Sequence, residues 1–472
     1  YRIQSDYTEP FVTYGYLVNQ RFEWGELAGI TGGFRSDYSS AFGEGSKPFT
    51  FPNGSLYVRP STLAFWKNGS LGNLLPEFKV RAAYGKAGIQ PRPFDRYVVL
   101  NPTIIGTNVG FTVPTTNANP ELEVEVSKEK EIGFDLTLRA FKGTFLNSID
   151  LSATYWNRST DNAIYNVDAA PSTGLGLVKD NAFGLGSRGI QASLNLHIIK
   201  GRNLTWNMTT NFSKQTSEIT SVKGNAEIVV LSNAGSSNYV LRAGEKIGQL
   251  YGNLLLTSVD QADAAGKPYI AKAQQANYTL ASNGWVVDKA TKQPFVTPNK
   301  VSFGDPNPTF NMSFINEVSF KGNLTFNMQW DWVNGSHLYN QTKEWMYRDG
   351  IHGDYAIPIT IDGKTEAYTA FYRGVYAQVQ ANGTKNYFYE DASFMRLRNV
   401  SIAYDAAKLV KSGIFQRLQL VLSGRNLITF TKYTGFDPEI SSGTLNSAFD
   451  RGVDHNTVPN LRAYQIGLNI GF

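Results

Sequence analysis

The sequence holds 472 residues, enough for two or three ordinary domains or one very large sheet structure. Hydrophobic residues make up 42% and charged ones 18%, which excludes a disordered chain, and a net charge of +5 without a basic run argues against nucleic acid as a partner. There is no Cys, so neither a disulfide scaffold nor a thiolate metal site is available, and no apolar run approaches the roughly 18 residues a spanning helix needs, which leaves any membrane role to strands.

A strand pattern begins almost at once, within "YRIQSDYTEPFVTYGY", with no signal segment before it, and the chain reads as the C-terminal part of something longer. Period-two alternation then marks segments longer than the usual soluble strand: 9 to 21, 25 to 38, 54 to 67, 77 to 87, 127 to 141, 146 to 158, 187 to 199, 203 to 216, 308 to 320, 322 to 335, 393 to 406, 414 to 430 and 460 to 472. In "LTFNMQWDW" the residues Leu324, Phe326, Met328, Trp330 and Trp332 face one way, and Thr325, Asn327, Gln329 and Asp331 the other. Lengths near ten suit strands that cross a bilayer at a tilt.

Tight links at "EWG", "FKGT", "KGR" and "FKG" alternate with long excursions at about 88–126, 159–186, 217–307, 336–392 and 431–459. Outer-membrane barrels show this alternation, with short periplasmic turns and long external loops. If "KGR" and "KGN" are both periplasmic, the strand near 203 runs outward and the one near 308 runs inward, so zero or two barrel strands lie between them. Parity therefore assigns "EKIGQLYGNLLLT" (245 to 257) to a loop and leaves thirteen barrel strands. A single-chain bacterial barrel has an even count, so further strands are expected upstream.

Aromatics reach 13% of the chain, natural for a barrel with interfacial girdles. Trp206 begins an outward strand and Phe320 ends an inward one, while Trp330, Trp332, Phe430 and Tyr433 fall near outward strand ends, and these are read as girdle residues rather than sandwich core. The last strand, "AYQIGLNIGF", alternates Tyr464, Ile466, Leu468, Ile470 and Phe472 against Gln, Gly, Asn and Gly. Taken alone it fits a soluble sandwich or a lipid-facing strand. In the barrel scheme it runs inward and places Phe472 at the periplasmic rim, where it would pair with a first strand outside this chain.

Little in the sequence carries chemistry. The Asn-x-Ser/Thr triplets at Asn207, Asn211, Asn311 and Asn323 match a glycosylation pattern, but i and i+2 share a strand face, so a polar, water-facing wall explains them better. His197, His337, His352 and His455 lie far apart. Asp349, His352 and Asp354 could in principle ligate a divalent ion, although a polar loop tip is the simpler reading. Glu121, Glu123 and Glu125 fit a surface strand edge. No catalytic motif is present, so no catalytic residue, cofactor or metal is expected. The loop aromatics are the more informative set: Trp345, Tyr347, Tyr355, Tyr368, Tyr372 and Tyr376 could stack on sugars or pack peptide side chains, or form the loop's own small core, or dock a partner.

Several stretches together resemble one family, the SusC-like TonB-dependent transporters of Bacteroidetes outer membranes. "FRSDYSSAFGEG" (34 to 45) followed by "YVRPSTLAFW" is similar to that family's Arg-Asp-x-Ser-Ser segment and the strand after it, and "FKVRAAYGKAGIQ" (78 to 90) to a further strand of the family, with Ile89 where Asn is usual. "NPELEVEVSKEKEIGFDL" (119 to 136) follows the family pattern except for Val124 in place of Trp, and "FMRLRNVSIAYD" and "LVLSGRNLITFTKYTGFDPEI" match its penultimate strands closely. The resemblance implies an all-β transmembrane antiparallel barrel of 22 strands, of which these would be the last thirteen, with an N-terminal plug outside this chain. It also implies active import of glycans or oligopeptides across the outer membrane of a Gram-negative bacterium. The implied partners are a surface SusD-like lipoprotein that closes as a lid, the TonB complex acting through the plug, and outer-membrane lipid. The resemblance leaves room for a dimer of the transporter–lid pair, and Tyr464 and Phe472 resemble the terminal signal read by the barrel-assembly machinery. Two other classes stay open at this level: a surface adhesion or scaffold barrel without transport, and a soluble carbohydrate-binding β protein.

Overall fold

The computed structural model describes residues 11–472 except 43–47, 93, 98, 115, 140, 142, 171, 173–175, 226–227, 232–237, 303, 367–385, 411–413 and 442–451. Its main element is a sheet of 14 strands, thirteen of which follow one another in chain order along an antiparallel path. They are β1 (Thr13–Trp24), β2 (Ala28–Ser39), β3 (Phe49–Val58), β4 (Glu77–Ile89), β5 (Glu125–Leu138), β6 (Phe145–Asp168), β7 (Leu177–Lys200), β8 (Leu204–Val222), β9 (Phe310–Phe320), β10 (Leu324–Asn334), β11 (Phe394–Asp405), β12 (Arg417–Thr431) and β13 (Ala463–Gly471). The short strand Thr116–Asn117 pairs with β7 off the path.

Each of the thirteen overlaps one of the thirteen segments marked by period two. Leu250–Gly252, inside "EKIGQLYGNLLLT", pairs outside the main sheet with Asn238–Leu241 and Val301–Ser302, as parity requires. Two expected boundaries need correction. The segment 54 to 67 is strand only to Val58; Pro60 then opens a 3-10 turn, followed by the short helices α1 (Ala64–Lys67) and α2 (Ser70–Leu74). Pro fixes φ and removes a ladder donor, so the strand stops before it. The excursion expected over 159–186 is mostly ladder, since β6 reaches Asp168 and β7 begins at Leu177. Asn162 at φ 59° and register shifts at Asn181/Phe183 and Phe183/Leu185 break the alternation there, which hides the strand from a period-two reading.

The chain divides into two compact units: Tyr1–Ile228 with Arg242–Glu245 and Ser313–Asn327, and Val229–Leu241 with Lys246–Met312 and Met328–Phe472. In the first, the register sorts side chains onto two faces. One carries Ile30, Leu56, Val80, Phe134, Leu151 and Leu194, with Ile30 against Leu56 and Leu151 against Leu194. The other carries Arg81, Asp135, Ser152, Ser193 and Asn211 at successive register positions. In the second unit β11, β12 and β13 repeat this sorting, with Ile402, Leu422 and Ile466 abreast on one face and Ser401, Ser423 and Gln465 on the other.

The apolar face is the exposed one. Ile30, Leu56, Ile132, Tyr155 and Ile190 in the first unit, and Ile402, Leu420, Leu422 and Ile466 in the second, all stand open. A monomeric protein in water does not keep so large a contiguous apolar surface uncovered. The buried apolar cluster of the second unit sits instead in the connections, around Leu250, Tyr339, Tyr347, Ile359, Ile361, Phe388 and Val453. There, Ile359–Ile361 and Lys364–Glu366 form a hairpin whose Asp362 and Gly363 have φ of 51° and 78°, the left-handed pair that an Asp-Gly turn supplies. No helix among the described residues is long and apolar enough to cross a membrane.

Candidate functional site

The polar face of the first unit is a hydrogen-bonded surface rather than a row of isolated groups. Arg81 reaches Asp135 at 3.3 Å and donates to the Thr154 hydroxyl at 2.6 Å, while Ser152 donates to Asp135 at 2.7 Å. Asp150 accepts from Thr137 at 2.7 Å and lies 3.0 Å from His197 Nε2, whose Nδ1 is 2.9 Å from Asn207 Oδ1. Ser193 donates to Asn211, which donates in turn to Ser313. The Asn207 and Asn211 triplets thus serve a polar wall, since both asparagines bond across strands. Toward the start of β1 the unit has a cavity of about 900 Å³ lined by Arg35, Asp37, Asn53, Lys86 and Gln90 together with Tyr14 and Phe51.

In the second unit, α3 (Gln341–Arg348) organises the connection between β10 and β11. Asn340 caps it by accepting from the Lys343 backbone N–H at 2.8 Å, which satisfies one of the helix's free donors. One face buries Gln341, Thr342, Glu344 and Tyr347. Glu344 accepts from Tyr339 and Gln341, so its carboxylate is buried with partners. Tyr347 is 1% exposed; its hydroxyl meets Asp354 and Tyr387, and Tyr355 donates to its backbone carbonyl at 2.8 Å. Burial, then the neighbouring Tyr387 and Asp354, push the Tyr347 hydroxyl well above the ordinary tyrosine range. Desolvation works against ionising Asp354, but the hydroxyls of Tyr347 and Tyr387 outweigh it and hold the carboxyl below its usual value. Burial lowers His352 against the pull of Asp354 and so disfavours its charged form.

This arrangement decides among the loop aromatics. Tyr347 belongs to the connection's own small core, with Tyr355, Tyr387 and Tyr389 packed against the same cluster, and its ring is not open to a ligand. Trp345 is half-buried, edge-on to His455 at 4.5 Å with the Arg348 guanidinium 5.0 Å from its ring. Tyr368, Tyr372 and Tyr376 lie outside the described residues. The Asp349, His352 and Asp354 set does not converge: Asp349 pairs with Arg348, and Asp354 is taken by two tyrosines. Among the described residues no group of three ligating side chains forms a metal site.

The strand-borne aromatics are placed as follows. Trp206 donates its indole N–H to Asn316 at 3.1 Å, Trp330 stacks on Phe430 at 6.1 Å, and Trp332 meets Phe310 edge-on at 4.9 Å. Tyr464 stands exposed opposite Gly424, and the exposed Phe472 lies 5.6 Å from Phe415.

The most constrained polar group is one that sequence reasoning does not single out. Arg396, near the start of β11, is buried and donates to Asp437 at 2.5 Å and Glu439 at 2.7 Å. Arg398 joins Asp331 at 2.7 Å and Glu439 at 2.7 Å. A register irregularity between Leu397 and Asn399, beside Asn426 at φ 54°, accompanies the pair, and the Asn426 side-chain Oδ1 accepts from Arg398 at 3.1 Å. Nearby, Tyr433, expected from the sequence near a girdle, is instead buried against Leu338 and Ala392 and donates to Asp454, which also accepts from Thr342, while Glu390 binds Lys343 and Thr434. These bonds fasten the segment after β12 to the strands beneath it. The available signal was two arginines at i and i+2 in one strand and an Asp-Pro-Glu after the next.

A protein-family model described as TonB dependent receptor-like, beta-barrel matches residues 3–427. The chain is 27% identical to TonB-dependent receptor P3 of Formosa agariphila over 93% of this chain and 43% of that protein, and 28% identical to receptor P39 of the same organism over 94% and 44%. It is 23% identical to TonB-dependent receptor SusC of Bacteroides thetaiotaomicron, over 93% of this chain and 41% of that one. Among solved structures it is similar to the RagAB peptide transporter, with a TM-score of 0.71 at 18% identity over 98% of this chain and 48% of that one. The chain spans less than half the length of these relatives.

Proposed function

The chain belongs to the TonB-dependent receptor β-barrel family, whose barrels lie in outer membranes and whose activity is transport rather than catalysis, and on that premise we propose that it is part of the wall of an active nutrient importer. The observation that carries this reading is the pairing of an exposed apolar face with a cross-linked polar one on the same strands. In a bilayer the first face meets lipid and the second meets water, a plug or a passing solute. Trp206, Trp330, Trp332 and Phe430 act as girdle residues where the two environments meet. The thirteen strands are the C-terminal part of a 22-stranded barrel completed by the rest of a longer protein.

The cargo is a glycan or an oligopeptide. SusC and the RagAB peptide transporter among the similar proteins support that range, as does the half-buried Trp345 with its flanking Arg348. A surface SusD-like lipoprotein closes over the external connections as a lid, and TonB supplies the energy through a plug. The full-length protein is expected to require detergent, to migrate as a compact form in SDS until boiled, and to co-purify with its lid lipoprotein. It is further expected to support uptake of a glycan or peptide only when TonB is intact. Identical migration before and after boiling, with solubility in plain buffer, overturns the membrane reading; uptake that persists without TonB overturns active transport.

A further inference from the structure

The connection between β3 and β4, residues 59–76, differs from the tight links at the same end of the first unit's strands. Its position is fixed by hydrogen bonds at both ends: the Arg59 N–H donates to Leu27 O beside the β1–β2 turn, and the Arg139 N–H donates to Leu74 O beside the β5–β6 link. Within it, α1 and α2 leave Phe65 69% exposed, Leu71 46% and Leu74 47%. Trp66 does not share that exposure. Its ring stacks on Phe78 at 5.9 Å and 5°, and its indole N–H donates to Leu75 O at 2.8 Å.

Phe78 shares the apolar face of β4 with Val80 and Ala82, and it stands opposite Leu136. Trp66 therefore joins the helical connection to the face that meets lipid, while Phe65, Leu71 and Leu74 stand exposed on the same connection past the strand ends. At this end of the first unit Trp24, Phe141, Phe145 and Phe320 are also exposed, as a belt at a membrane interface would be. Lys67, in the last turn of α1, is exposed beside Phe65 and suits an anionic headgroup.

We propose that residues 59–76 form an interfacial pad, with α1 and α2 lying in the headgroup layer and Phe65, Leu71 and Leu74 dipping into the acyl chains of the adjoining leaflet. The inference rests on the membrane reading above and adds a lipid contact made by a connection rather than by a strand. Short amphipathic segments bind interfaces weakly when alone, but here the flanking strands hold the pad at the required depth, so little ordering remains to oppose insertion.

Single cysteines at Phe65→Cys, Leu71→Cys, Leu56→Cys and Arg202→Cys, in the full-length protein reconstituted into phospholipid bilayers and labelled with a nitroxide, test this by collision with oxygen and with a water-soluble nickel chelate. These 472 residues contain no Cys to interfere. Labels at 65 and 71 are expected to favour oxygen over nickel as the strand-face label at 56 does, and the label at 202, in a tight link of the same end, to favour nickel. If 56 itself favours nickel, the membrane reading falls and the pad with it. If 56 favours oxygen while 65 and 71 favour nickel, the pad lies in water and only this inference fails. Shielding of 65 and 71 from both reagents would mean that protein covers them, which also overturns it. Heat-modifiable migration of each labelled variant establishes that it is folded before the comparison is made.

Discussion

Two buried aspartates in the segment after β12 respond to pH in opposite directions. Desolvation opposes the charge on Asp437, but the guanidinium of Arg396 and the backbone N–H groups of Glu439 and Asn460 outweigh it and hold the carboxyl below its usual value. A depressed value contributes stability that is present above the ordinary carboxylate pKa, about 4, and is lost as pH falls through the folded value. For Asp454, burial dominates over the hydroxyls of Tyr433 and Thr342 and raises the carboxyl. Its ionised form is penalised in the folded state, so the cost appears as pH rises from the ordinary value through the raised one. Asp454→Asn keeps an acceptor and removes that cost, and its thermal midpoint relative to the parent is expected to rise across that pH interval, read from unfolding scans of the detergent-solubilised protein. Arg396→Met leaves Asp437 buried without its cation and is expected to cost about 3–5 kcal/mol locally. Hydrogen exchange at 435–440 should accelerate while the β12–β13 ladder stays protected; unchanged exchange there would mean that the ion pair does not hold the segment. Neither aspartate could be ranked from sequence, because Asp437 and Asp454 are both short acids in polar loops, and only the packing of Arg396 and Tyr433 against them sets their signs.

Strands were legible where a single rule governed them. Ile132, Phe134 and Leu136 alternate with Glu131, Gly133 and Asp135 because one face of β5 must avoid water and the other may meet it. That same logic failed for the far half of β6 and β7, where bulges shift the period, and at Pro60, where the apolar run "LAFW" continues after the strand has ended. In a lipid-facing strand, Ile132→Arg should destabilise the folded protein by about 2–4 kcal/mol if it lies near the bilayer midplane, less toward an interface. A drop in the denaturant midpoint of the reconstituted protein is the readout, with Ser127→Arg on the opposite face as the milder comparison. Equal effects at both positions would argue against a lipid-facing side. The last strand makes a separate prediction. Phe472 is exposed except for its contact with Phe415, so deleting it should cost little in the packing of the folded state. If the terminal aromatic is the assembly signal, deletion lowers the fraction inserted in cells without altering the unfolding midpoint of the protein that does insert.

At the scale of the molecule, β1 and β13 pose the largest physical problem. Among the described residues β1 pairs with β2 and β13 with β12, so one side of each presents unpaired N–H and C=O groups along its length. All twelve residues of β1 are exposed. In water such edges invite association, and in hydrocarbon each unsatisfied backbone group costs several kcal/mol, which is why spanning sheets close. The binary pattern made thirteen strands legible but not what meets the outer sides of β1 and β13, because period two fixes the face a side chain takes and not the neighbour across a strand edge. Residues 1–472 expressed alone and refolded in detergent are therefore expected to associate through the open edges of β1 and β13 and to show no heat-modifiable monomer, whereas the full-length protein should show one. Strand-disrupting prolines at Val18 and Leu468 should reduce association of the fragment, since they oppose extension of the two edge strands. A monodisperse, heat-modifiable fragment would instead show that these strands find partners within the chain itself, and the proposal of a larger barrel completed outside residues 1–472 would fall.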